Sequence, residues 1–261
     1  MRSVMRWWCY ELLATAWSVV WFYAPWPPRI WRILFSFPQG SLDLMTYDTL
    51  KQRHRALRDG YPASLNLRVH RALSWLQRAE MADDDDGRFI FLWIAFNAVY
   101  ACEIDDRYGL SEQATFMAFL EKLCGLDSEK RIGSLVWQEF AGSIRVLLDT
   151  PFVFQGFWDY QAGKLSEEEW QTRFAKGKKV AQLALAGGKT PALLGVVLNR
   201  LYTLRNQLIH GGATWNGKVN RKQLRDCTQL LGKLLLVIIE LMLDHPEVEW
   251  GPACYPVVES I

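Results

Sequence analysis

A short and almost wholly apolar run restricts what this chain can fold into more than any other feature of its sequence. Residues 88–101 hold one arginine and one asparagine among otherwise apolar side chains. A helix that crosses a bilayer needs about 20 apolar residues, and this run has fourteen. We therefore expect it to form a helix at the centre of a folded core.

Apolar residues recur at helical spacing along most of the chain after Met45. In residues 64–80, one face carries Leu65, Val69, Leu73 and Leu76. Further helices are expected over 111–124, 129–148, 166–186, 191–210 and 220–244. Ser166 and Glu169 have the spacing of a capping box, Pro191 falls in a first turn, and glycines follow residue 210. Because no segment alternates apolar and polar residues as a strand does, we predict an all-α fold.

Residues 1–44 differ in composition from the rest of the chain and hold six of its 13 tryptophans. Within them, 7–24 carries a single charge and is of borderline length for a membrane span. We expect either that translation starts at Met45, or that 1–44 is a disordered extension or an inner-membrane anchor. The predicted organisation is a Trp-rich extension over 1–44, a helical domain over 45–250 and a tail over 251–261, in a cytoplasmic protein unless the anchor inserts.

Cysteine and histidine are too few and too scattered to indicate a metal site. The five cysteines form no C-x-x-C pair, and the four histidines are spread along the chain. The aspartates at 83–86 lack the glycine-punctuated spacing of a calcium loop, so we expect a solvated loop there. Gly188-Lys189-Thr190 ends like a phosphate-binding loop but lacks its first glycine and follows a predicted helix rather than a strand. The sequence predicts no metal and no cofactor.

The net charge of +2 conceals two oppositely charged parts of the chain. Between Trp170 and Arg225 there is no Asp or Glu, but there are eleven Lys and Arg residues. We call this segment the basic zone. Helices that carry only cations can hold a polyphosphate, and an exposed Trp215 can stack on a base. We expect an anionic partner here; the alternative is a solubilising surface, or one that pairs with the acidic remainder of the chain.

A polar cluster closes the predicted helix inside the basic zone. The helix that carries Leu194, Val197, Leu201, Leu204 and Leu208 on one face ends with Arg205-Asn206-x-x-x-His210-Gly-Gly. Taken alone, His210 is a favourable cation at a helix C-terminus. The spacing also resembles the R-x4-6-H motif of HEPN (higher eukaryotes and prokaryotes nucleotide-binding) domains. Residues 88–100 are similar to the first core helix of a bacterial, Apea-like HEPN subgroup, and the resemblance extends from Tyr47 to about Trp250.

The resemblance implies a helical bundle with additional helices. It also implies that the chain is a metal-independent endoribonuclease, with a role as a toxin or defence effector and an antitoxin protein as its partner. Arg205, Asn206 and His210 are then the catalytic residues. Residues five apart on a helix point about 140° from each other, so Arg205 and His210 of one chain cannot easily converge on one phosphate. A homodimer would bring the motifs of two chains together. The alternative is a HEPN-like module that binds RNA or a nucleotide without catalysis. RNA contacts are expected from Lys176, Lys178, Lys179, Arg200, Trp215, Lys218, Arg221 and Lys222.

Overall fold

The computed structural model describes residues 44–100 and 112–255, and within them every regular element is helical. The predicted all-α fold is therefore confirmed. The α-helices are α1 Tyr47–Leu57, α2 Ala63–Glu80, α3 Asp85–Tyr100, α4 Glu112–Leu126, α5 Arg131–Ser134, α6 Ala141–Asp149, α7 Gln155–Gln161, α8 Glu167–Ala186, α9 Thr190–Ile209 and α10 Arg221–Asp244. Short 3-10 turns at Arg58–Gly60 and Pro151–Val153 and a π turn at Leu135–Glu139 connect some of them.

The core forms around α3, as the apolar run predicts. This helix packs against α2 and α10, and its fully buried side chains include Phe89 and Phe96. Burial of one large apolar side chain contributes about 1.5–3 kcal/mol to stability. On α2, the predicted face of leucines and Val69 is buried against this core. The short apolar run is thus an internal element that neighbouring helices cover.

Helix α9 carries the polar cluster to the end of a packed element. It lies against α8 and α4, and it also contacts α3. Leu194, Val197, Leu201 and Leu204 are buried as predicted, whereas Leu208 is only partly covered. Burial therefore decreases toward the C-terminal end of α9, where the polar residues lie.

The single helix expected over 129–148 is interrupted. The Asp127 carboxylate stabilises the start of α5, because it accepts the backbone N–H groups of Arg131 and Ile132 at 3.0 and 2.8 Å. A π turn follows, in which the Phe140 N–H donates to the carbonyl of Leu135 at 2.9 Å. Phe140 then leaves helical geometry and is buried, and α6 starts after it. Apolar spacing alone does not reveal such a change in hydrogen-bonding register.

The prediction of a solvated loop over 83–86 is wrong for its second half, residues 85–86. Asp85 and Asp86 form the first turn of α3, where the positive end of the helix dipole favours carboxylates. Asp84 accepts the N–H of Gly87 at 2.8 Å. Asp86 is only 7% exposed. These aspartates therefore start the core helix.

Predicted helix ends elsewhere agree with the structure. Ser166 and Glu169 form the capping box, since the Ser166 hydroxyl accepts the Glu169 N–H and the Glu169 carboxylate accepts the Ser166 N–H. Pro191 lies in the first turn of α9. A helix, α8, precedes Gly188-Lys189-Thr190, as predicted.

Two arginines of α2 bind the segment after α10. Arg68, 0% exposed, donates to the carbonyls of Val99, Gly251 and Pro252. Arg71, which is partly exposed, donates to the carbonyls of Cys254 and Tyr255. The first residues of the predicted tail are thereby attached to the helical body.

Several sequence predictions fall on residues outside the described ranges. They are the extension over 1–44 apart from Leu44, the apolar stretch 7–24, the start of the helix expected at 111 and the tail beyond Tyr255. Among the described helices, none combines the length and the apolar character that crossing a membrane requires.

Candidate nucleic-acid interface

The C-terminal end of α9 has a defined backbone geometry. His210 occupies the C-cap position, and its N–H donates to the Asn206 carbonyl at 3.0 Å. Gly211 follows with a φ of 70°, a conformation that suits glycine. The Gly212 N–H donates to the Gln207 carbonyl at 2.8 Å. The helix therefore stops at His210, and the chain turns away from the helix axis.

Two of the predicted catalytic side chains are in direct contact. An Nη1–H of Arg205 donates to the Asn206 side-chain oxygen at 2.9 Å, and the guanidinium lies 5.9 Å from the Tyr202 ring centroid. The Arg205 Nε–H is buried without a hydrogen-bond partner in the described structure. Arg205 is thus held in one orientation by its neighbours on α9.

His210 differs from Arg205 in its surroundings. Its side chain is exposed. Within the described part of the chain, no hydrogen bond or ion pair to its imidazole is found. An imidazole can both accept and donate a proton. The free ring at the end of α9 can therefore approach an external ligand.

Residues 211–220, which we call the Trp215 loop, join α9 to α10. Trp215 is 75% exposed and Val219 is 74% exposed. Asn216 and Asn220 both have positive φ angles, at 52° and 56°. An exposed indole beside lysines offers a stacking surface for a base.

The Trp215 loop is bound to the start of α3. An oxygen of the Asp86 carboxylate accepts the Asn216 N–H at 2.8 Å and an Nη1–H of Arg221 at 3.0 Å. The Arg221 Nε–H in turn donates to the Gly217 carbonyl at 2.9 Å. Arg221, predicted to contact RNA, instead uses its guanidinium within the chain.

Gln207 links the same end of α9 to two neighbouring segments. Its side-chain NH2 donates to the Phe152 carbonyl at 2.6 Å, and its side-chain oxygen accepts from Asn220 at 3.4 Å. Phe152 and Trp158 are both partly exposed there, and the Trp158 N–H also donates to the Phe152 carbonyl. Motif spacing gave no indication of Gln207, Asn220 or Asp86, because each acts through a tertiary contact.

The predicted contacts on α8 lie apart from this end of α9. Lys176 and Lys179 are exposed, and Lys178 forms an ion pair with Asp149 at 2.6 Å. Helix α8 approaches α9 near Arg200, where a Cβ added to Gly177 would be 3.8 Å from the guanidinium. Arg200 precedes His210 by ten residues, about 15 Å along the helix axis. The α8 lysines therefore form a separate patch.

Arg200 itself does not belong to the surface. It is 2% exposed, and its guanidinium lies 4.5 Å from the Phe154 ring centroid and 5.1 Å from that of Phe174. Burial lowers the pKa of Arg200 to about 10. The prediction that Arg200 contacts RNA is corrected for this reason: aromatic rings of the chain occupy the faces of the guanidinium.

The basic zone also pairs in part with the acidic remainder, as one of the alternatives from the sequence proposes. Arg221 binds Asp86, Arg225 lies 3.8 Å from Asp85, and Lys178 binds Asp149. Lys218 in the Trp215 loop and Lys222 in the first turn of α10 are exposed, with no ion pair to either in the residues described. These two lysines, Trp215 and His210 are the predicted site residues that are exposed on the segment from the end of α9 to the first turn of α10.

No cluster of three metal-ligating side chains is present within residues 44–100 and 112–255. The arrangement at the end of α9 supplies instead a fixed guanidinium, a free imidazole, an exposed indole and two lysines. Comparison with models of protein families, with curated proteins and with solved structures finds no match to this chain.

Proposed function

We propose that this chain is a HEPN-type, metal-independent endoribonuclease that acts as a homodimer. The observation that supports the proposal best is the free, exposed imidazole of His210 at the end of α9, five residues after the Arg205–Asn206 pair. The resemblance to HEPN domains suggests a toxin or defence effector, with an antitoxin protein as its partner. RNA is the proposed substrate, since the exposed Trp215 and the neighbouring lysines suit a single strand.

The proposed chemistry uses the ribose 2′-hydroxyl as the nucleophile. The 2′ oxygen attacks the adjacent phosphorus while the imidazole of one His210 accepts the hydroxyl proton. The bond from phosphorus to the 5′ oxygen then breaks, and the imidazolium of a second His210 protonates that oxygen. The guanidinium of Arg205 neutralises the charge that develops on the phosphoryl oxygens. The products are a 2′,3′-cyclic phosphate and a free 5′-hydroxyl.

In this scheme a second copy of the chain supplies the second His210 imidazole and a second Arg205 guanidinium. Arg205 is committed to Asn206 on its own helix, whereas His210 lies at the helix end, about 140° away around the axis. A two-fold axis near the ends of two α9 helices would place both His210 rings and both Arg205 groups about one phosphate.

The engagement of Arg205 within its own chain favours a second candidate function. Its Nη1–H binds Asn206, and its Nε–H is buried. If that orientation persists with ligand, Arg205 supports α9 and the exposed groups bind RNA without cutting it. This non-catalytic, HEPN-like RNA-binding module shares the lysines and Trp215 with the ribonuclease, so only a cleavage assay separates the two.

Cleavage of a single-stranded RNA in the presence of EDTA tests the proposal. We expect fragments whose 3′ ends carry a 2′,3′-cyclic phosphate, identified by mass spectrometry. The same oligonucleotide made with 2′-deoxyribose throughout should stay intact, because the nucleophile is missing. Binding of the RNA without any cleavage would support the second candidate and contradict the first.

Mixing experiments test the homodimer. A tenfold excess of the His210→Ala chain, equilibrated with wild-type chain under saturating RNA, should lower cleavage about tenfold, because most wild-type chains then sit in mixed dimers with one imidazole. An equal excess of an unrelated RNA-binding protein controls for loss of free substrate. Unchanged cleavage after subunit exchange would show that one chain suffices.

A further inference from the structure

The proposed mechanism does not use Asp86. Its buried carboxylate accepts the backbone N–H of Asn216, which lies 130 positions later in the chain. We infer that Asp86 is a positioning residue for RNA binding: it holds the Trp215 loop in the orientation in which the indole stacks on a base of single-stranded RNA. This inference rests on the proposed function. It adds a residue on α3 to a site that the sequence confined to α8, α9, α10 and their connections.

The contacts of Asp86 reach both residues that follow Trp215. Its carboxylate accepts the Asn216 N–H directly, and it holds Arg221, whose Nε–H binds the Gly217 carbonyl. The Asn216 amide and the Gly217 carbonyl are therefore fixed through one carboxylate oxygen. Hydrogen bonds to a charged, buried acceptor are stronger than neutral ones, so this clamp is a strong attachment of the loop to α3.

The orientation of Trp215 depends on this attachment. At 75% exposure the indole has little packing of its own, and Asn216 holds a positive φ that an unrestrained loop would readily leave. A loop ordered before binding loses less conformational entropy when the ligand arrives. The clamp on Asn216 therefore favours RNA binding without touching RNA.

Whether removal of the Asp86 charge weakens or strengthens RNA binding distinguishes a positioning role from a purely electrostatic one. Removal of a negative charge near an RNA site should strengthen binding if only the field matters. Asp86→Asn should instead weaken binding, because the amide is a poorer acceptor for Asn216 and Arg221. Asp85→Asn is a matched control: it changes the same charge one residue away, where the carboxylate lies near Arg88 and Arg225 rather than the loop backbone.

The experiment measures the dissociation constant of a fluorescent single-stranded RNA for five chains: wild type, Asp85→Asn, Asp86→Asn, Trp215→Ala and the double variant of Asp86→Asn with Trp215→Ala. We expect Trp215→Ala to weaken binding about tenfold and Asp86→Asn about fivefold. The double variant should bind like Trp215→Ala alone, since Asp86 acts through the indole. Multiplied effects in the double variant, or tighter binding by Asp86→Asn, would overturn the inference.

Hydrogen exchange at the Asn216 amide gives a second measurement that requires no RNA. Exchange should accelerate in Asp86→Asn and in Asp86→Ala but stay unchanged in Asp85→Asn, with far-ultraviolet circular dichroism confirming that each variant folds. Equal protection in all variants would contradict the clamp. Failure of wild type to bind RNA would contradict the proposed function and with it the role in RNA binding, whereas the exchange result would still decide whether Asp86 holds the loop.

Discussion

Replacement of Arg68 by alanine should lower the free energy of unfolding by about 4 kcal/mol. Arg68 is fully buried on α2 and donates to the carbonyls of Val99, Gly251 and Pro252. The change removes three hydrogen bonds from a charged donor, leaves the carbonyls to find other partners, and opens a cavity among packed helices. It also detaches the segment after α10 from the helical body.

Urea denaturation followed by circular dichroism measures this effect. Arg71→Ala is the matched control, since Arg71 lies three residues away on α2 and binds two carbonyls of the same segment at a more exposed position. We expect the control to cost about 1 kcal/mol. Equal losses in the two variants would show that burial of the Arg68 guanidinium contributes nothing beyond its hydrogen bonds to the segment.

Arg68 also illustrates what the sequence leaves hidden about the fold. Helical periodicity predicts the α2 face of leucines and Val69 and the central position of α3, because apolar burial follows residue type. Periodicity places Arg68 outside that face. Its burial depends on carbonyls far away in the chain, at Val99 and after α10, and no local pattern encodes such partners.

The candidate site also has a local part that the sequence predicts and a tertiary part that it does not. Its local part, Arg205 to His210 at a helix end marked by glycine, can be predicted from the sequence, because capping depends on adjacent residues. Its tertiary part cannot. The aspartates at 83–86 have the composition of a solvated loop, and yet Asp86 binds Asn216 because α3 and α10 pack together. Arg200 has the charge of a phosphate ligand, and yet it stacks on Phe154 and Phe174.

Under the proposed function, replacement of His210 by alanine should lower the RNA cleavage rate by a factor of about 10²–10⁴, the usual contribution of a general acid or base. The imidazole is exposed and has no hydrogen bond or ion pair in the described structure, so its loss should leave folding intact. RNA affinity should change less than twofold, because Trp215, Lys218 and Lys222 stay in place. The effect should therefore appear in kcat and not in KM.

His245 provides a matched control for this substitution. It is also a C-cap histidine, at the end of α10, where its Nδ1 lies 3.2 Å from the Glu247 carboxylate. His245→Ala removes the same chemical group from an equivalent helix position away from the Trp215 loop. We expect it to cleave RNA at the wild-type rate.

The rate of cleavage of one single-stranded RNA in EDTA by wild type, His210→Ala and His245→Ala tests the central claim most directly. Our account predicts cleavage by wild type and by His245→Ala, with fragments ending in 2′,3′-cyclic phosphate, and loss of at least a hundredfold in His210→Ala. Wild type that leaves the RNA intact, or a His210→Ala chain that cleaves it at the wild-type rate, would contradict the account.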